Sequence, residues 1–183
     1  MISPSLIDAE AYAAGQAHRQ IRRPSQCPQC SRQKTLRALG FYSRNVTAPM
    51  SGRVVSIKVR RFLCECCRKT TSVLPSFAQP YRLVCSFTIE RYFNGRMVGR
   101  DTLLWHGLLR RYRKRFNAWM PDLVVILGQV FGLSPPDHLV EGSWRAVVGA
   151  YGRLDQATRK LVKHFRVTLF GKYQCHSPVP PDG

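Results

Sequence analysis

The chain has 183 residues, 44% of them hydrophobic and 21% charged, a composition that excludes wholesale disorder and fits one ordinary domain or two small ones. Its 29 Lys and Arg residues against 10 Asp and Glu residues give a net charge of +19, which favours a polyanion as partner. The excess lies in residues 21–118, which hold 21 basic and 3 acidic side chains.

The amino terminus lacks the basic start and apolar run of a secretory signal, so we expect a cytoplasmic protein, associated with the nucleoid if it binds DNA. The longest apolar stretch, residues 123–133, is interrupted by Gly128 and Gln129. It is far shorter than the roughly 20 residues that a membrane-spanning helix needs. The sequence therefore predicts no membrane partner.

The first 82 residues divide into two parts. Residues 1–25 are predicted to form an N-terminal helical arm, because the Ala-rich run 8–14 has its acidic residues early, as the helix dipole favours. Residues 26–82 change to short β-like runs, and Pro49, Ser51 and Gly52 indicate the turn between the first two. The predicted strands are Thr35–Tyr42, Val54–Leu63 and Thr70–Leu74.

From residue 83 the pattern becomes helical and predicts a helical domain over residues 83–172. Pro121 is expected to begin a new helix, since proline is favoured in the first helical turn. Residues 173–183, rich in proline, are predicted to be a disordered tail. The predicted helices are one capped by Ser86 that runs to Phe93, one capped by Asp101 that runs to Ala118, Pro121–Phe131, and one or two between Ser143 and Phe170.

Two C-x-x-C motifs carry the strongest chemical signal. Cys27-Pro28-Gln29-Cys30 and Cys64-Glu65-Cys66-Cys67 flank the first two predicted strands. Two thiolates separated by two residues in a tight turn can bind one zinc ion. Four thiolates complete its tetrahedron and leave no position for substrate. The sequence predicts one structural Zn²⁺ held by Cys27, Cys30, Cys64 and Cys67. The fold class is α+β, a small antiparallel β zinc ribbon followed by an α-helical domain.

The remaining cysteines leave alternatives open. Cys66 competes with Cys67 as a ligand, although the x-x spacing favours Cys67. Cys85 is expected to be a small buried apolar side chain. Cys175 and His176 form a possible second metal corner without visible partners.

The residues around these motifs resemble a known family. The matching runs are Cys27–Cys30, Gly40–Arg44, Val59–Thr70 and Leu74–Phe77. They are similar to the zinc ribbon of bacterial transposases and related short mobile-element proteins over about residues 26–82. The resemblance implies zinc ligation by the four cysteines and DNA recognition together with a following helix-turn-helix. Arg68 stands where the family usually has glycine, and residues 96–118 leave little room for that motif.

Basic side chains on the strands and on the second predicted helix are the candidate nucleic-acid contacts. On that helix Leu104, Trp105 and Tyr112 are predicted to face the core, while cations cover the other side. Arginine suits bidentate contacts to phosphate. The candidate residues are Arg44, Arg53, Lys58, Arg60, Arg61, Arg68, Lys69, Arg110, Arg111, Arg113, Lys114 and Arg115.

These features predict a non-enzymatic DNA-binding accessory, targeting or regulatory factor of a mobile element. One alternative is a transposase or recombinase component that acts with a partner protein, with Asp101, Asp122 and Glu141 as the best available acids. Their spacing on predicted helices does not favour a nuclease, and no catalytic residue is assigned. The other alternative is an RNA-binding or protein-docking zinc module.

Overall fold

A computed structural model describes residues 1–49, 51–96, 103–131 and 140–172. It combines helices with a small, mostly antiparallel sheet, so the predicted α+β class is confirmed. The strands are β1 Ile2–Ser3, β2 Leu36–Thr47, β3 Val54–Cys64, β4 Thr70–Pro75, β5 Val167–Thr168 and β6 Gly171–Lys172. The helices are α1 Ala9–Ala14, a 3₁₀ turn Ala17–Gln20, α2 Ser86–Phe93, α3 His106–Phe131, α4 Val140–Tyr151 and α5 Leu154–Phe165.

A long hairpin of β2 and β3 forms the centre of the main sheet, whose strand order is β1-β4-β3-β2. The register runs from Leu36 opposite Cys64 to Thr47 opposite Val54, with a bulge between Ala38 and Gly40. The predicted turn is confirmed, and Gly52 adopts a positive φ of 64° there. The hairpin therefore brings the first cysteine motif, which precedes β2, and the second, which begins at the end of β3, to the same end of the sheet.

The N-terminal arm contains the predicted short helix, α1, and also contributes a strand to this sheet. Residues Ile2–Ser3 pair in parallel with β4, which the sequence pattern did not predict. Asp8 caps α1 by accepting a hydrogen bond from the Ala11 N–H at 2.9 Å. Tyr12 on α1 is buried in a second apolar cluster with Ile57 and Val59.

The helical region, residues 83–172, encloses the largest apolar cluster. The prediction of two helices separated at Pro121 is wrong: α3 continues through this residue. Proline in a helix interior costs about 3 kcal/mol, but Pro121 is exposed and leaves the buried face of the helix unaltered. Buried residues at three- and four-residue spacings on both sides of it keep the helix intact, and these are Leu109, Tyr112, Phe116, Met120, Leu123 and Leu127.

Other predictions for the helical region are confirmed in part. Helix α2 ends at Phe93 as predicted, but Ser86 is its first residue and not its cap: Cys85 takes the N-cap position, and the Ser86 hydroxyl donates to the carbonyl of Ser76. Helix α5 ends at Phe165, since Arg166 adopts a φ of 53°, and β5 follows where a helix was predicted. The predicted tail, residues 173–183, lies outside the described residues.

Buried hydrogen bonds join the sheet region, residues 1–82, to the helical region. Gln79 is 1% exposed; its amide donates to the Ser86 hydroxyl and accepts from the Thr158 hydroxyl, both at 2.9 Å. The Trp105 indole donates to the carbonyl of Gly52 at 3.0 Å. Within the described residues, no helix is long and apolar enough to cross a membrane.

Candidate metal centre and basic surface

The first cysteine motif folds into a tight knuckle. The Cys27 N–H donates to the Arg32 carbonyl and the Ser31 N–H donates to the Cys27 carbonyl, both at 2.9 Å. The Gln29 N–H points toward the Cys27 sulfur at 3.4 Å. The Cys27 and Cys30 sulfurs therefore project from a turn whose backbone groups are already satisfied.

The second motif repeats this backbone pattern. The Cys64 N–H donates to Lys69 at 3.0 Å, and the Arg68 N–H donates to Cys64 at 2.9 Å. The residue after each motif is left-handed, with a φ of 59° at Ser31 and 57° at Arg68. This conformation explains why glycine suits the position, because it costs other residues about 1–2 kcal/mol. Arg68 therefore keeps the knuckle's shape despite the missing glycine.

The two knuckles bring the four predicted sulfur atoms together. All lie within 4.8 Å of one another. The Cys27 and Cys67 sulfurs are 3.8 Å apart, and those of Cys30 and Cys64 are 3.7 Å apart. A tetrahedral zinc site with Zn–S bonds of about 2.3 Å would have sulfur–sulfur edges of about 3.8 Å. These cysteines are free thiols, so the set has the donors and spacing to hold a metal ion.

Apolar side chains and one hydroxyl surround the sulfurs. Leu36, Phe62 and Val73 are buried in one cluster with Cys27 and Cys64. The Thr35 hydroxyl lies 3.2 Å from the Cys64 sulfur. Sequence reasoning placed Thr35 at the start of the first predicted strand but gave it no role beside the sulfurs. Groups of this kind fix the orientation of a ligand and shield its charge.

The thiols differ in acidity without a bound ion. Burial raises the pKa of Cys27, and it raises the pKa of Cys67 to about 12. The Cys67 backbone N–H and the Thr35 hydroxyl lower the pKa of Cys64 to about 6. Burial thus disfavours the ionised form of Cys27 and Cys67. A bound divalent cation would offset the negative charge of the thiolates.

The other candidate ligands lie elsewhere. Cys66 is exposed and is not part of the four-sulfur cluster, which agrees with the preference for Cys67. Cys85 is buried in the second apolar cluster, as predicted, with its sulfur 3.3 Å from the Thr88 hydroxyl. Cys175 and His176 lie outside the described residues.

Helix α3 presents part of the predicted cationic face to solvent. Its exposed cations are Arg110, Arg111, Lys114 and Arg115. None of them forms an ion pair with a carboxylate of the described residues; the ion pairs present there are Arg37–Glu65 and Arg153–Asp155. Leu104 is 65% exposed, so its predicted place in the core is wrong, whereas Tyr112 is buried as predicted. The helix therefore carries uncompensated positive charge.

Two predicted contact residues hold the fold together. The Arg113 guanidinium donates to the carbonyls of Tyr92 and Phe93 at 3.2 and 3.3 Å, at the C-terminal end of α2. It also lies 4.8 Å from the Tyr92 ring centroid. Arg44 donates to the carbonyls of Gln79 and Arg82. Cations in these positions add charged donors to carbonyls at the end of α2 and in the 79–82 segment, and favour the negative end of the helix dipole.

The remaining predicted contacts lie on the hairpin and its flanks. Arg53, Lys58 and Arg68 are exposed, whereas Arg60, Arg61 and Lys69 are half-buried. Arg60 covers Phe41, its partner across the strands, with 4.7 Å from guanidinium carbon to ring centroid.

A buried histidine lies beside this pair. The His18 ring packs edge-on against Phe41, with centroids 4.7 Å apart. Its pKa is lowered by burial, then by the charges of Lys58, Arg19 and Arg60. Sequence reasoning treated His18 as structural and had no signal that three cations converge on it.

No contact among the described residues brings together the acidic residues of the transposase or recombinase alternative. Asp122 is exposed on α3. Asp101 lies outside the described residues, and Glu141 lies on α4 with a side chain that is not described.

Residues 27–104 match a family model described as a domain of unknown function, DUF6431. The match covers less than half of the chain and includes the four clustered cysteines, the hairpin and α2. No curated protein and no solved structure matches the chain. The resemblance to transposase ribbons therefore stays a prediction.

Proposed function

We propose that this chain is a nucleic-acid-binding protein whose hairpin is stapled by one structural zinc ion, with DNA as its partner. In this proposal it acts as a non-enzymatic accessory, targeting or regulatory factor of a mobile element. The uncompensated cationic face of α3 carries the proposal, because it exposes four cations in the region that dominates the chain's net charge of +19.

Cys27, Cys30, Cys64 and Cys67 would hold the zinc ion. Four sulfur donors at tetrahedral spacing match zinc better than calcium or magnesium, which take oxygen ligands. With every ligand supplied by the protein, the ion's contribution is to crosslink the two knuckles. The chain's own residues then position the basic strands, since β2 and β3 end at the metal centre.

Contacts between the two regions support a shared binding role. The bond from Trp105 to Gly52 places the residues just before α3 against the β2–β3 turn, next to the exposed Arg53. The Arg166 guanidinium donates to the carbonyl of Pro28 in the first knuckle at 2.8 Å. A DNA backbone bound along α3 would therefore meet a helix that is anchored to the sheet.

The test compares two triple variants in a duplex-DNA titration at several salt concentrations. The first replaces Arg110, Arg111 and Lys114 by Ala. The matched control replaces Arg145, Lys163 and Lys172, which are also exposed cations of the helical region, so both variants remove three positive charges. We expect the first to lower affinity about 10- to 100-fold and to reduce the salt slope by about one for each phosphate that is no longer neutralised.

The control variant should bind nearly as the wild type does. Equally weakened binding in both variants would show that net charge alone drives association, and unchanged binding in the first would refute the α3 interface. Competition with a structured RNA of the same length tests the partner: stronger competition by RNA than by unlabelled duplex would contradict the choice of DNA.

A further inference from the structure

A cavity of about 490 Å³ lies where β2 and β4 meet the segment 80–83, apart from the metal centre. Its size is within the range of small-molecule sites, about 300–1,000 Å³. The described lining contains no acidic side chain. It consists of Tyr42, Arg44, Asn45, Ser72, Leu74, Pro80, Tyr81, Arg82 and Leu83.

Two guanidinium groups are fixed at this cavity by the backbone. Arg44 donates to the Arg82 carbonyl at 2.7 Å and also to that of Gln79, which ties the rim to β2. Arg82 donates to the carbonyls of Tyr81 at 3.1 Å and Phe170 at 3.4 Å. Because both side chains are already held, an incoming ligand would meet cations with little rotamer entropy left to lose.

The described lining of this cavity carries two guanidinium groups, those of Arg44 and Arg82, and no carboxylate. Burial lowers the pKa of Arg82, and the charge of Arg115 and then that of Arg44 lower it further. The Arg82 Nε atom is buried and has no hydrogen-bond partner among the described residues. Like charges held this close favour an anionic ligand, and a phosphate oxygen is the acceptor that guanidinium groups match best.

Aromatic rings supply a second kind of recognition. Tyr42 and Tyr81 both line the cavity, and the Arg61 guanidinium lies 5.9 Å from the Tyr42 ring centroid. Tyr81 is 57% exposed and has a φ of 57°, a conformation that is uncommon for an aromatic residue. Such strain occurs disproportionately at functional sites. Asn45 and Ser72 add groups that can hydrogen-bond a base edge.

We propose that this cavity accepts one unpaired nucleotide, its phosphate against Arg44 and Arg82 and its base against the tyrosine rings. The inference rests on the proposed function and names the part of DNA that this site takes. A paired base within a duplex cannot enter, because its faces are stacked on its neighbours. The protein would therefore prefer a duplex with an unpaired extension to a fully paired one.

The experiment measures the affinity of the zinc-loaded full chain for a paired duplex and for the same duplex with a four-nucleotide 3′ extension. We expect the extension to increase affinity about tenfold, as stacking of a base on an aromatic ring does in single-strand binding. Tyr81→Gly should abolish this preference and leave binding of the paired duplex unchanged. Glycine suits the left-handed backbone at this position, so the variant should fold.

Phe87→Ala is the matched control, because Phe87 is a partly exposed ring on α2 outside the lining. It should retain the preference for the extension. Equal affinity of the wild type for the two DNAs, or an undiminished preference in Tyr81→Gly, overturns this inference alone. Failure of the wild type to bind either DNA overturns the proposed function with it.

Discussion

The sheet region and the helical region are held together by different means. The apolar cluster beside the four cysteines has five buried residues, whereas the cluster inside the helices has nineteen among the described residues. Five residues, two of them cysteines, bury too little apolar surface to offset the entropy of ordering two knuckles. The helices obtain their stability from burial, and the proposed zinc crosslink would stabilise the knuckles.

The second apolar cluster supports the opposite end of the hairpin from the knuckles. Val46, Ile57 and Val59 pack with Ala9 and Tyr12 of α1, so the turn end of the hairpin has its own apolar support. The knuckle end has the smaller cluster and the sulfurs. Removal of the metal should therefore unfold the hairpin from the knuckles inward.

The largest expected effect follows replacement of a cluster cysteine. Cys27→Ser or Cys64→Ser should abolish zinc binding, because each removes one of the four sulfur ligands. The loss should unfold the knuckles, since structural zinc contributes about 10–16 kcal/mol in small zinc-bound folds. Amide hydrogen exchange should then lose protection over residues 26–38 and 62–72 before it loses protection at Val46 and Ile57. Zinc content measured by atomic absorption completes the test.

Cys66→Ser is the control for this experiment, because Cys66 is exposed and outside the cluster. It should keep one zinc per chain and a wild-type exchange pattern. Retained zinc with unchanged exchange in Cys27→Ser would show that the knuckles fold without a crosslink.

A core substitution in the helical region should destabilise the helices and leave zinc binding intact. Phe116 is fully buried and packs edge-on against Phe93, with ring centroids 5.3 Å apart. Phe116→Ala should lower the free energy of unfolding of the helical region by about 3–5 kcal/mol, because it removes buried apolar surface and leaves a void. Denaturant unfolding of the zinc-loaded protein measures this change. Simultaneous release of zinc would contradict the separation of the two regions.

A smaller effect distinguishes structural from exposed cations on α3. Arg113→Ala should cost about 1–3 kcal/mol, because it leaves the Tyr92 and Phe93 carbonyls without their charged donor. Lys114→Ala, at the neighbouring exposed position, should change stability by less than about 0.5 kcal/mol and weaken DNA binding instead. Equal thermal stability of the two variants would show that the Arg113 contacts contribute nothing.

The smallest expected effect concerns Arg68, which stands where the transposase zinc ribbons that this sequence resembles usually have glycine. Arg68→Gly should raise the stability of the zinc-loaded sheet region by up to about 1 kcal/mol, because the φ of 57° favours glycine over arginine. Lys69→Gly, one residue later and without a positive φ, should lower it. Chelator titration, followed by the release of zinc, measures both. A destabilised Arg68→Gly variant would assign Arg68 a contact that outweighs its backbone strain.

The sequence predicted the elements whose signals are local. The cysteine spacing predicted the four-sulfur cluster, and the β-like run Val54–Leu63 predicted β3. The continuity of α3 through Pro121 depended on long-range burial, which outweighs a local helix-breaking signal. The parallel pairing of Ile2–Ser3 depended on β4, where the partners Leu74 and Pro75 lie 72 residues further along the chain.

From the sequence, the candidate nucleic-acid interface could be predicted only as a list of basic residues, without distinguishing the exposed ones from those engaged in the fold. Sequence periodicity placed Arg113 with its exposed neighbours, whereas its partners are the carbonyls at the end of a different helix. Arg44 was grouped with the strand cations, yet it holds the 79–82 segment. Composition shows how many cations a chain has, but only packing decides which of them are engaged.

The most direct test of the central claim is a duplex-DNA titration of one protein sample in three states: zinc-loaded, chelated, and reloaded with a stoichiometric amount of zinc. We predict salt-sensitive binding with one zinc per chain, weaker binding after chelation, and recovery on reloading, because the metal orders the strands that carry part of the basic surface. Equal affinity in all three states, or no binding by the fully zinc-loaded protein, would contradict the account.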